Sequence, residues 1–302
     1  MNIAECNILM ELQRSGSTSQ RALARAVGHS LGVVNRSLKA LHEAGYTDDG
    51  CRPTEKAAAE FRARQPRQAV ILAAGAGMRM IPLNMEVSKG LLEVNGEPLI
   101  ERAIRQLQEV GIREIYVVVG YLKEQFAGLE DEYPGLNLID NPYFDSCNNI
   151  ASLYVARNYI ENAIILDGDQ IIYNPAILTP EFERSGYNSV WTDEETDEWL
   201  QTVENGVVTA CSRTGGKGGW QLYSISRWTA EDGQKLRHHL EVEFEQKKNR
   251  QIYWDDVAMF CYPEEYQLGI RPMQKGDIIE VDDLWELAVL DKTYERFLEV
   301  AQ

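Results

Sequence analysis

The chain has 302 residues, more than one average domain, and its 44% hydrophobic content is ordinary for a globular protein with a sizeable core. No apolar run approaches the roughly 18 residues of a bilayer span, and the N-terminus, with Glu5 early and no small-residue cleavage site, does not read as a signal peptide, so a cytoplasmic protein without membrane partners is expected. The net charge of -17 is uneven: residues 1–67 hold ten Lys/Arg against seven Asp/Glu and the rest twenty against forty, a split of +3 and -20 that disfavours nonspecific nucleic-acid binding by the larger part.

Residues 2–14 have the apolar spacing of a helix, and Ser17, Thr18 and Ser19 offer caps for a second one at Gln20–Val27. A turn at Gly28–Ser30 leads to a third helix, Leu31–Ala44, with Val34, Leu38 and Leu41 on one side. Gly45-Tyr46 ends it, Thr47–Thr54 suits a small hairpin wing, and Glu55–Arg64 returns to helix. With LxxLxxAGY at Leu38–Tyr46 and PTEKA at Pro53–Ala57, this stretch resembles the winged helix-turn-helix domains of bacterial regulators. In such a domain the helix from Leu31 enters the major groove, making Ser30, Asn35, Arg36 and Lys39 the candidate DNA contacts; a docking module that keeps the fold without DNA is the other reading. Pro66 ends the preceding helix, which divides the chain into 1–66 and 67–302.

The second part opens with AVILAAGAGMRMIPLNMEVSK, Ala69–Lys89. Val70, Ile71 and Leu72 form the apolar run of a strand buried on both faces. Gly75 and Gly77 let the backbone approach a ligand closely, so that main-chain amides near Leu72 and Ala73 can face phosphate oxygens. Arg79 offers paired hydrogen bonds to phosphate and Lys89 a compact positive charge. A dinucleotide fingerprint needs glycine where Met80 stands, and a P-loop needs Gly-Lys-Ser/Thr after its turn; neither fits. Helix Pro98–Val110, strand Glu114–Val119, a helix from Leu122, a strand near Leu136–Ile139, helix Asn149–Asn158 and strand Ala163–Leu166 then alternate. That order predicts an α/β, Rossmann-like, mostly parallel sheet with ligands at the carboxyl ends of its strands, where the loops at Gly75, Gly120 and Asp167 share one rim. Asp167 and Asp169 end a buried strand at that rim, and alternation along Ile278–Val281 puts Glu280 and Asp282 on one face with Asp283 turned away, together a set of hard oxygen ligands for Mg²⁺.

Taken with SKGLLEVNGEPLIERAI, the opening LAAGAGMRM resembles the sugar-phosphate type nucleotidyltransferases. Within them residues 69–302 are most similar to bacterial CTP:phosphocholine cytidylyltransferases, on GYLKEQF (Gly120–Phe126), NPYFDSCNNIASLY (Asn141–Tyr154), LDGDQ (Leu166–Gln170), DEW (Asp197–Trp199), YWDD (Tyr253–Asp256) and IIEVDDLWEL (Ile278–Leu287). Ser88 departs from the usual proline before Lys89. The resemblance implies Mg²⁺ on Asp169, Glu280 and Asp282, and a cytidine site around Ala73, Gly120, Tyr121, Asn149 and Ser152, although Asn149 equally suits a helix cap.

The implied reaction is attack of a phosphomonoester oxygen on the α-phosphorus of CTP, with Arg79, Lys89 and Asp169 as its catalytic residues and no Ser-His-Asp set required. A quaternary ammonium donates no N–H bond, so aromatic faces plus a carboxylate recognise it, which makes Trp199, Trp220, Trp228, Trp254 and Asp255 candidates, Trp254 and Asp255 foremost. Phosphocholine is the leading acceptor, 2-aminoethylphosphonate or phosphoethanolamine the alternative, and a transcription regulator sensing a nucleotide or choline metabolite the reading from another class.

Overall fold

Capping side chains set where the N-terminal helices begin. In the computed structural model, which describes residues 1–16, 19–180 and 184–298, the side chains of Asn2, Ser19, Ser30 and Thr54 accept the backbone N–H of Glu5, Ala22, Val33 and Ala57. They start α1 (Ile3–Ser15), α2 (Gln20–Ala26), α3 (Leu31–Glu43) and α4 (Glu55–Arg64). Ser17 and Thr18 lie outside the described residues. Ile8, Leu9, Leu12, Leu23, Val34, Leu38, Leu41, Ala57 and Phe61 close one core, and a Thr47–Pro53 bridge forms the wing. The unit spans Met1–Gln65; Pro66–Pro180 and Arg184–Gln302 form the other.

In the second unit, alternation along β1 (Gln68–Ala73) builds both faces of a sheet. Ala69 and Ile71 pack into one core and Val70 and Leu72 into another, so no residue in the strand's middle meets water. After the small hairpin β2 (Glu93–Val94) and β3 (Glu97–Pro98), α5 (Leu99–Glu109) lays Ile100, Ala103, Ile104 and Leu107 on the first face. The strands β4 (Glu114–Val119), β5 (Leu136–Asp140) and β6 (Ala163–Asp167) complete a parallel array in which β1 lies between β4 and β6, and β4 pairs β5. The segment from Leu122 is a 3₁₀ turn, Lys123–Phe126, followed by α6 (Leu129–Glu132); α7 (Ile150–Val155) and, later, α8 (Ala230–Glu241) cover the second face.

Beyond Asp167 the topology changes. The short β7 (Gln170–Ile172) leaves the main sheet, and β8 (Gly186–Thr192), β9 (Leu200–Glu204), β10 (Val207–Ser212) and β11 (Gly219–Trp228) extend it by antiparallel pairing, β11 running against β6. β12 (Gly269–Met273) pairs β8 in parallel, while β13 (Ile278–Glu280) pairs β7. The Rossmann-like α/β class therefore holds, with parallel pairing through Gln68–Asp167 and a mixed extension after it. No helix of the described residues is long and apolar enough to cross a membrane.

Candidate active site

The carboxyl ends of β1, β4 and β6 are tied together by backbone. Ala73 stands beside Val119, and Leu72 beside Asp167. Tyr121 N donates to the Ala74 carbonyl at 3.1 Å and Gly168 N to the Leu72 carbonyl at 2.9 Å, so the loops after all three strands meet on one rim. Gly120 is there because nothing larger fits: an added Cβ would lie 2.6 Å from Phe144 Cβ and 2.9 Å from the Ala74 oxygen.

The glycine loop divides its work. Gly77 takes the left-handed φ of 59°, and a Cβ there would press on the Lys89 stem at 3.1 Å. Gly75 does not take a positive φ; it is exposed and an added Cβ would face open space. Buried Asn84 holds the loop by donating to the Ala76 carbonyl at 3.0 Å. Gln125 steadies the segment before Lys89, accepting from Ser88 N at 3.0 Å and donating to the Glu86 carbonyl at 2.7 Å, which fixes the path in the absence of the usual proline.

Two cations and two carboxylates converge above this floor. Lys89 Nζ donates to Asp169 Oδ2 at 2.6 Å and lies 3.7 Å from Asp282 Oδ1, while Arg79 Nη2 donates to the same Asp282 oxygen at 2.8 Å. Asp282 gets there from the loop after β13, whose last residue, Glu280, pairs with Gln170 and accepts from its side-chain amide at 2.8 Å. Val281 N donates to the Asp169 carbonyl, and Asp283 turns away to cap α9 (Leu284–Leu290). Burial lifts the Glu280 carboxyl to about 7, with Asp169 adding repulsion and Gln170 opposing it. Asp167 is raised well above the usual range by burial, then by Asp169, Asp255 and Glu280. Burial and mutual repulsion thus favour the protonated forms of Glu280 and Asp167, and the donors beside Lys89 and Arg79 are hard carboxylate oxygens, a chemistry that fits Mg²⁺; among the described residues no three acidic, His or Cys side chains are already gathered around one point as a metal cage.

A family model described as a MobA-like NTP transferase domain matches residues 69–230, and one described as winged helix-turn-helix DNA-binding matches residues 1–46. The chain belongs to the MobA-like NTP transferase family. It is 34% identical over 232 residues to the 2-aminoethylphosphonate cytidylyltransferase of Lancefieldella rimae, covering 76% of this chain and 94% of that one. Identity to the choline-phosphate cytidylyltransferase of Streptococcus pneumoniae is 30% over 225 residues, covering 74% of this chain and 97% of that one. The solved structure of CTP:phosphocholine cytidylyltransferase from Streptococcus pneumoniae superposes with a TM-score of 0.67 at 29% identity, over 78% of this chain and 100% of that one. The protein is a nucleotidyltransferase-family enzyme of the cytidylyltransferase superfamily, which sets aside the reading as a sensor alone.

The other expected site residues of this MobA-like domain divide into rim, packing and core. Leu72, Ala73, Gly75, Gly77, Gly120, Tyr121 and Asp167 lie along the rim. Asn149 occupies the cap position of α7 without capping it; its oxygen accepts from Trp254 N at 2.9 Å, and Ser152 accepts from Asn141 at 3.1 Å, so both oxygens serve packing. Trp228 and Trp254, 1% and 0% exposed, pack with Tyr187 in the second core and present no open face to an acceptor. Asp255 is buried beside Tyr187, its carboxyl lifted to about 7 by burial, and among the described residues its Oδ1 and the Trp254 Nε1 meet no hydrogen-bond partner. Trp220 meets Trp191 edge-on, and Trp199 lies in a separate corner with Tyr253 and Phe260. Asn84, Gln125 and Gln170 are positioning residues that no spacing rule singles out, because their partners lie 8, 37 and 110 residues away.

Proposed function

We propose that the enzyme transfers a cytidylyl group from CTP to an aminoalkyl phosphonate or phosphate, with 2-aminoethylphosphonate favoured over phosphocholine. The observation that carries the transferase chemistry is the convergence of Lys89, Arg79, Asp169 and Asp282 beside the glycine loop. A phosphonate or phosphate oxygen attacks the α-phosphorus, a P–O bond forms there, and the bond to the β-phosphate oxygen breaks with pyrophosphate leaving in line. The acceptor oxygen is already ionised near neutral pH, so positioning and charge stabilisation suffice without a general base. Lys89 stabilises charge at the α-phosphate, and Arg79 exchanges Asp282 for the departing pyrophosphate. Backbone amides of the Gly75–Gly77 loop orient the triphosphate. Asp169, Glu280 and Asp282 would hold Mg²⁺, which when bound neutralises phosphate charge.

The preference among acceptors rests on two supports. The Lancefieldella rimae relative acts on 2-aminoethylphosphonate by its name and aligns at 34% identity. Trp228 and Trp254, the aromatic walls a trimethylammonium would need, are closed into the core, whereas a primary ammonium can donate N–H bonds to carboxylates. Pyrophosphate release measured over a matrix of four nucleotides and three acceptors (2-aminoethylphosphonate, phosphoethanolamine, phosphocholine) tests the reading. Turnover is expected with CTP and fastest with 2-aminoethylphosphonate; no turnover with CTP and any of the three rejects it.

A second role, DNA binding by the N-terminal unit, is supported by the winged helix-turn-helix match and by α3, where Asn35, Arg36 and Lys39 are exposed on the side away from Val34, Leu38 and Leu41. Ser30 is exposed beside them while capping the helix.

A further inference from the structure

The corner formed by Trp199, Tyr253 and Phe260 already holds a cation. The Phe260 and Tyr253 rings stand edge-on to Trp199, with centroids 5.4 and 5.9 Å away. Into this corner projects Arg213, its guanidinium carbon 3.7 Å from the Phe260 centroid and 6.0 Å from that of Trp199. Arg213 Nε also donates to Asp256 Oδ1 at 2.7 Å, and the other oxygen of this buried carboxylate accepts from Tyr253 N at 2.8 Å, so one acid fixes both the cation and an aromatic wall.

The loop carrying Arg213 is held in place by its glycines. Gly215 adopts φ 67°, and an added Cβ would lie 1.8 Å from the Thr196 oxygen, so the chain passes there only as glycine. Thr196 and Gly216 exchange backbone hydrogen bonds at 3.0 and 2.9 Å, and Ser212 Oγ donates to the Gly215 carbonyl at 2.7 Å. Arg213 is therefore presented to the corner by a locked hairpin end, and a planar guanidinium that both stacks and pairs is a different object from a mobile lysine.

The corner adjoins the reaction site along β11: the Trp199 carbonyl accepts from Leu222 N at 2.9 Å, and three residues further on Ile225 stands beside Leu166, next to Asp167. Glu198 precedes Trp199, and its carboxyl is pushed up by loss of water and by Asp282 while Arg79 opposes the shift. Its backbone N–H donates to Thr196 Oγ1 at 3.1 Å, which ties it to the loop segment that Gly216 bonds. The site thus offers an acid able to accept N–H bonds next to an aromatic corner in which Arg213 covers the Phe260 face and stands before Trp199, while Tyr253 stays half exposed.

We propose that Arg213 is a specificity-determining residue: by filling the Trp199–Phe260 corner it denies that surface to quaternary ammonium acceptors and leaves recognition to carboxylates that require N–H donors. The inference rests on the aminoalkyl acceptor reading above. A trimethylammonium has no N–H to offer Glu198 and depends on aromatic faces; a primary ammonium has three donors and does not.

Two measurements of CTP-dependent pyrophosphate release test it. In the wild type, phosphoethanolamine and its N-methyl, N,N-dimethyl and N,N,N-trimethyl forms should show kcat/KM falling with each methyl; a rise with methylation overturns the inference without touching the transferase reading. In R213Q, which removes the charge and shortens the side chain but keeps a polar end, kcat/KM for phosphocholine relative to phosphoethanolamine should rise about tenfold, chiefly through KM, the size expected for a freed cation–π site. R213K, still cationic, should move that ratio much less. An unchanged ratio in an R213Q protein with a native circular dichroism spectrum overturns the inference, and should R213Q not fold, the methylation series alone decides. Absence of turnover with every aminoalkyl acceptor in the wild type is the distinct result that rejects the underlying reading.

Discussion

Replacing Lys89 by methionine separates the chemical role of the charge from its structural one. The Lys89 side chain is 14% exposed and its ammonium is 2.6 Å from Asp169 and 3.7 Å from Asp282. With an effective dielectric of about 20, those distances correspond to gross attractions of roughly 6 and 4 kcal/mol, most of which is offset by desolvation. Removing one partner of a fully buried pair costs about 3–5 kcal/mol. Asp169 and Asp282 retain 28% and 33% exposure, so water recovers part of this and a stability loss of about 1–2 kcal/mol is expected. In a domain of this size that is a drop in Tm of about 2–8 °C. The transition state loses more: a preorganised positive group at a reacting phosphate is worth about 10²–10³ in kcat, or roughly 3–4 kcal/mol. Lys89→Met should therefore fold, melt slightly earlier, and lose at least a hundredfold in pyrophosphate release with CTP. A variant within threefold of wild-type kcat, with a native melt, would refute the placement of Lys89 at the reacting phosphorus.

Gly215→Ala forces a Cβ to 1.8 Å from the Thr196 oxygen at a positive φ, and should cost more than about 2 kcal/mol, seen as a fall in Tm of about 5 °C or more by calorimetry; an unchanged Tm contradicts the locked loop. Asp255, lifted from 3.8 to about 7 by burial, binds its proton more tightly in the folded state, so its contribution to stability is full below about pH 4 and is lost as pH rises toward 7, at about 1.4 kcal/mol per pH unit. Asp255→Asn should flatten that part of the profile in denaturant melts at pH 5 and 8, and an identical slope would count against a buried carboxyl. The double substitution Arg36→Ala, Lys39→Ala should lower the salt dependence of duplex DNA binding, followed by fluorescence anisotropy, by about 2 in log–log slope if α3 meets phosphates; an unchanged slope argues for a docking module.

What the sequence could reveal followed the range of the interactions. Local signals were clear: Ser19, Ser30 and Thr54 cap the helices they precede, and the apolar run Val70–Leu72 is the central strand. The rim was legible because a parallel array puts every strand end on one side, which brought Lys89 to Asp169 across 80 residues. Composition could not tell a cage from a core: Trp228 and Trp254 have acids close by in the sequence, yet both pack with Tyr187 and the Leu236 and Leu240 side chains of α8 in the second core. Alternation likewise cannot place Asp282, since β13 ends at Glu280 and a loop carries the aspartate to Arg79 and Lys89. Asn205-Gly206 between two apolar stretches is the strongest short-range hairpin cue, and both residues take positive φ, at 52° and 76°, to join β9 to β10.

The proposed transfer joins CTP to an aminoalkyl phosphonate or phosphate at this rim. Phosphorus NMR of the enzyme with equimolar CTP, 2-aminoethylphosphonate and Mg²⁺ tests it most directly. A new asymmetric phosphonate–phosphate pair of resonances, coupled through one bridging oxygen, is expected to appear in step with pyrophosphate. Pyrophosphate accompanied only by free CMP, or an unchanged spectrum with this acceptor, phosphoethanolamine and phosphocholine alike, would contradict it.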